Sequence, residues 1–209
     1  MTKELKYIKL EYNDCDLDYI NNLFVDLDLH CEEIVDTFKL DNYGEKANVK
    51  IFDDLDKFRD YLKGIRKREI EDWVCGNTAM NDVQVLSLKE LRKLKNRENN
   101  TYEDLLKLIV HEFVHTIQNK KYNNRCALWI SEGMACYFAG QHSDSKNVNC
   151  TVEELINGGC KYSNYKLLFE YTYNKYGMDY IEELIKNKEY AYSETKKLFD
   201  EVVNVKKNR

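Results

Sequence analysis

His111-Glu112-Phe113-Val114-His115 is the stretch with the clearest chemical meaning. Residues four apart share one face of an α-helix, because a turn takes about 3.6 residues. Two imidazoles on that face can grip one divalent ion. Glu112, beside the first histidine, stands where a carboxylate can take a proton from water held near the ion. A second segment, Trp129-Ile130-Ser131-Glu132-Gly133-Met134-Ala135, offers Glu132 as a third ligand. Two histidines and one carboxylate suit Zn²⁺, and three protein ligands leave a position open, the pattern of a catalytic rather than a structural site. The expectation is a zinc-dependent hydrolase with His111, His115 and Glu132 on the metal and Glu112 as general base. Cys136, one turn beyond Glu132, is expected beside the site or in the core, and His142 on the surface.

The helix that presents the motif must start near Tyr102 and end near Asn119. Thr101 suits its N-cap, and Glu103 and Asp104 suit its first turn. Leu105, Leu108, Ile109, Phe113 and Ile117 give it buried faces, so the polar trio within it needs a partner to offset the cost of burial.

The preceding chain alternates strand and helix signals. Lys6 to Tyr12 and Ala47 to Phe52 read as strands, and residues 16–40 and 55–70 as amphipathic helices. Residues 73–80 and 83–88 look extended, separated by Asn81-Asp82. After the motif, helices are expected near 129–140, 151–157, 165–176, 178–188 and 192–206. This pattern predicts one α+β domain over 1–209. A small mixed β-sheet front lobe with helices covers about 1–100, a mostly helical back lobe covers about 101–209, and a cleft lies between them.

Bulk properties narrow the function classes. The chain has 209 residues, is 43% hydrophobic and 33% charged, and carries a net charge of −5. It is expected to fold, and it lacks the basic footprint of a nucleic-acid binder. No apolar run approaches the ~20 residues of a membrane span. Met1 to Asp14 has no apolar signal-peptide core, so the cytosol is the expected compartment. In that setting the seven cysteines are expected as free thiols, with a Cys150–Cys160 bridge as the lesser alternative.

The two motif segments resemble the gluzincin clan of zinc metallopeptidases, which includes the thermolysin and aminopeptidase-N type families. Trp-x-x-Glu-Gly-x-Ala-x-Tyr over 129–137 is close to the aminopeptidase-N type. The resemblance implies a peptide or protein substrate, one Zn²⁺ per chain and Glu132 as third ligand. Asn164-Tyr165-Lys166-Leu167-Leu168 looks like the segment carrying the clan's transition-state tyrosine. That implies Tyr165 as donor to the oxyanion, with Tyr162 and Tyr171 behind it. Val83 to Leu88 would be the sheet edge along which substrate lies. Gly76-Asn77-Thr78-Ala79-Met80-Asn81 occupies the place of the aminopeptidases' Gly-x-Met-Glu-Asn segment but lacks its glutamate, which in those enzymes binds a free amino terminus. An endopeptidase is therefore expected before an aminopeptidase. Metzincins are excluded, because Gln118 and Lys121 stand where they need glycine and histidine. The competing readings are a binding or regulatory module that keeps the fold without turnover and a zinc hydrolase acting on a non-peptide amide. Oligomeric state is left open.

Overall fold

The computed structural model describes residues 1–40, 43–123 and 125–207, with side chains given for these except 188–190 and 205–207. It is α+β, as the sequence pattern predicts. Contacts divide the chain into two compact units, Met1–Ile117 and Gln118–Arg209. The boundary between them falls inside the motif helix.

The first unit holds a five-stranded sheet of β1 (Thr2–Glu4), β2 (Ile8–Glu11), β3 (Ala47–Phe52), β4 (Gly76–Ala79) and β5 (Asp82–Leu86), in the order β1-β2-β3-β5-β4. The two outer pairs are antiparallel, while β2-β3 and β3-β5 are parallel. Parallel neighbours need a crossover, and two helices supply it. α1 (Leu17–Thr37) joins β2 to β3, and α2 (Leu55–Arg66) follows β3. In α1, Ile20, Leu23, Leu27, Cys31, Ile34 and Val35 fall at helical spacing and are buried. α2 starts at Asp54, whose side chain accepts from the Lys57 backbone N–H at 2.9 Å. It ends earlier than its apolar pattern predicts. Lys67 takes a left-handed conformation, and its N–H returns to the Lys63 carbonyl.

One sheet expectation is overturned. Residues 83–88 do not form the edge. β5 runs between β3 and β4, and the outer strand is β4. The physical reason lies in burial: Val83, Gln84, Val85 and Leu86 are all buried, as an interior strand covered on both faces requires. From Ser87 the chain turns into the short helix α3 (Leu88–Leu91), with the Ser87 hydroxyl accepting from Glu90 N–H.

α4 (Tyr102–Tyr122) crosses the unit boundary, and α5 (Leu128–Phe138), α6 (Val152–Asn157), α7 (Tyr162–Lys186) and α8 (Lys188–Lys207) complete the second unit. The two helices predicted around Gly177 are present as one run with a non-helical residue there, at φ 80°. α5 and α7 meet closely. A Cβ on Gly133 would stand 2.7 Å from Phe169 Cβ and 2.9 Å from the Tyr165 carbonyl carbon. Trp129 is buried and donates its indole N–H to Thr195 on α8 at 3.0 Å.

The cysteine expectation is corrected in part. Cys150 and Cys160 form a disulfide around α6, while the other five are free thiols. Spacing alone does not reveal a pairing, which depends on how the turn at Gly158-Gly159 brings the two Cα atoms to 6.1 Å. No helix among the described residues is long and apolar enough to cross a membrane.

Candidate metal centre

α4 is buried nearly all round. Leu105, Leu106, Ile109, Val110, Phe113, Val114 and Ile117 are each at most a few per cent exposed. Its start is fixed by Asp104, whose carboxylate accepts from the Thr101 backbone N–H at 2.7 Å and from the Thr101 hydroxyl at 2.9 Å. Thr101 thus donates to Asp104 through both its N–H and its hydroxyl, while its carbonyl accepts from the Asp104 and Leu105 N–H groups at 3.2 and 3.3 Å.

This apolar helix carries His111 at 5% and Glu112 at 8% exposure, with His115 half-buried. The two histidine Nε2 atoms are 3.2 Å apart. Two ring nitrogens bound at ~2.0–2.1 Å to one tetrahedral ion would stand about 3.3–3.4 Å apart. His111, His115 and Glu132 each offer one ligand atom, and these atoms lie within 4.8 Å of one another. The group could hold a metal ion. Its donors, two imidazoles and a carboxylate, are of the kind that divalent ions such as Zn²⁺ take, and the two ring nitrogens stand close to the tetrahedral spacing.

Glu132 reaches its place through α5. The residue before it, Ser131, is tied to the last turns of α4 by a reciprocal pair. Gln118 Nε2 donates to the Ser131 carbonyl at 2.9 Å, and the Ser131 hydroxyl donates to Gln118 Oε1 at 2.7 Å. Gln118, which sequence reasoning used only to exclude metzincins, therefore sets where α5 begins its second turn. Neither Cys136 nor His142 belongs to the ligand group. Burial first, then the Glu132 carboxylate, push the Cys136 thiol up, which disfavours the thiolate that metals take.

Glu112 faces β4. The Thr78 hydroxyl lies 2.7 Å from Glu112 Oε2 and 2.9 Å from the Glu112 backbone carbonyl, so its one proton is shared between them. A Cβ on Gly76 would meet Glu112 Oε1 at 2.5 Å. On the other face of the strand, Asn77 Oδ1 accepts twice from the Arg66 guanidinium, at 2.9 and 2.6 Å. Asn77 Nδ2 donates to Gln84 Oε1 at 2.6 Å. These contacts were not anticipated. The only sequence signal was a glycine within a strand, which marks a close approach.

Of the three tyrosines considered, Tyr165 is 1% exposed, and its buried hydroxyl makes no hydrogen bond of ordinary geometry. Burial pushes it up, the Cys160 backbone N–H draws it down, and the Glu132 carboxylate raises it again. Tyr171 instead donates to Glu201 at 3.1 Å. Tyr162 is 37% exposed, its ring 6.2 Å from that of Tyr165. Comparison with protein-family models, characterised proteins and solved structures finds no match to this chain.

Proposed function

We propose that this chain is a zinc-dependent peptidase that cuts within peptides. The observation that carries the reading is the convergence of the His111 and His115 Nε2 atoms to 3.2 Å beside Glu132, with Glu112 following the first of these ligands on the same buried helix. His111, His115 and Glu132 would hold the ion. Bound Zn²⁺ supplies a Lewis acid that polarises the scissile carbonyl and acidifies water. Glu112 accepts the proton of the attacking water and passes it to the leaving amine. Tyr165, with a buried hydroxyl in the field of Glu132, is the donor for the oxyanion.

Peptide substrates are favoured by β4. One of its edges pairs with β5, and no strand among the described residues pairs with the other. The same strand contacts Glu112 through Thr78. An extended peptide added there would run beside the general base. Ala79 ends this strand without a carboxylate for a free amino terminus, which supports internal cleavage. The Cys150–Cys160 disulfide favours an oxidising compartment over the cytosol that the sequence suggested.

The test is hydrolysis of fluorescein-labelled casein by protein reconstituted with zinc. The expected outcome is cleavage that 1,10-phenanthroline abolishes and added Zn²⁺ restores. Cleavage indifferent to the chelator would contradict the reading.

A further inference from the structure

We infer that β4 is a positioning arm for Glu112, with Thr78 as the residue that aims its carboxylate and Gly76 as the one that leaves it room. The inference rests on the proposed role of Glu112 and adds residues to that site.

A general base acts only if its carboxylate is held toward the water it deprotonates, and a glutamate side chain has three rotatable bonds with which to swing away. Three observations show how this chain limits them. The Thr78 hydroxyl meets Glu112 Oε2 at 2.7 Å. The opposite oxygen, Oε1, fills the space that a Cβ on Gly76 would need, 2.5 Å from its ideal position. Leu108 Cδ1 bounds the same space, at 2.9 Å from that position. Both carboxylate oxygens are therefore placed by residues two apart on one strand, whose side chains share a face by the two-residue period. Asn77, facing the other way, ties the strand to Arg66 and to Gln84. A four-residue edge strand with little apolar content needs such an anchor to hold its register.

In this role the Thr78 hydroxyl contacts Glu112 alone. It acts through Glu112. Thr78→Val keeps the shape and removes the donor, Thr78→Ser restores the donor, and Gly76→Ala pushes the carboxylate from the opposite side.

The experiment measures casein hydrolysis, bound zinc and the crystal structure of the metal-free protein for the wild type and these variants, with Glu112→Gln as reference. Thr78→Val and Gly76→Ala are expected to lose about 10- to 100-fold in kcat. KM should stay within about twofold and zinc should be retained, because only the transition state needs the aimed carboxylate. Thr78→Ser should recover most of the rate. In the metal-free crystals, the Glu112 carboxylate should leave its place in Thr78→Val and keep it in Thr78→Ser. A carboxylate that stays put in Thr78→Val overturns the inference whatever the rates are. Wild-type kcat in Thr78→Val and Gly76→Ala, with Glu112→Gln inactive, overturns it while leaving the peptidase reading intact. Full activity in Glu112→Gln overturns that reading itself.

Discussion

Glu112→Gln is expected to reduce peptide hydrolysis by about a thousandfold while zinc remains bound. A positioned general base contributes roughly 10²–10⁴ in rate, and the carboxamide cannot accept the proton. The substitution is otherwise conservative. Glutamine matches glutamate in volume, so the buried position beside Leu108 and Gly76 is filled. Its carbonyl oxygen can still accept from Thr78, which avoids leaving a buried donor unsatisfied. The group that could hold a metal ion is His111, His115 and Glu132, and none of these changes. The kcat/KM on labelled casein, measured beside zinc content, separates the possibilities. Loss of rate with zinc retained assigns Glu112 to the chemistry. Equal loss of both would make it a support of the metal site instead.

Gly133→Ala is expected to be the most destabilising single methyl addition near the site. In an exposed helix this exchange favours folding by about 1 kcal/mol. Here the new Cβ would press on Phe169 Cβ at 2.7 Å and on the backbone of Tyr165 at 2.9 Å. Backbone cannot rotate aside as a flexible side chain does, so α5 and α7 must separate. Overpacking of this kind costs about 3 kcal/mol. At roughly 2–4 °C per kcal/mol for a chain of this size, Tm should fall by about 6–12 °C. Glu132 and Tyr165 lie at the same crossing, so zinc affinity should weaken too. Thermal unfolding followed by circular dichroism checks this, and an unchanged Tm would mean that α5 and α7 do not touch at Gly133.

The parts of the fold that the sequence revealed were those with strong local periodicity. Ile8 and Leu10 alternate with Lys9 and Glu11, and β2 is a strand with that burial. α1 and α4 were readable for the same reason at the helical period. The closeness of His111 and His115 was readable because four-residue spacing makes two histidines converge without help from tertiary structure. What escaped depends on distant partners. β1 is exposed throughout, so nothing in Thr2–Glu4 marks a strand. β4 lies within the 73–80 stretch that reads as extended, but Gly-Asn-Thr-Ala carries no signal that it, rather than the more apolar β5, is the outer strand. Thr78 and Gly76 gained meaning only when β4 packed against α4. Gln118 and Ser131 form a reciprocal pair that no local pattern announces.

The most direct test of the central claim is metal content by mass spectrometry, on wild type and His115→Ala purified without chelator or polyhistidine tag. About one zinc per chain is expected in the wild type, as a three-ligand site holds, and its loss is expected in the variant. A well-folded wild type without metal, which takes up none from added Zn²⁺, would contradict it.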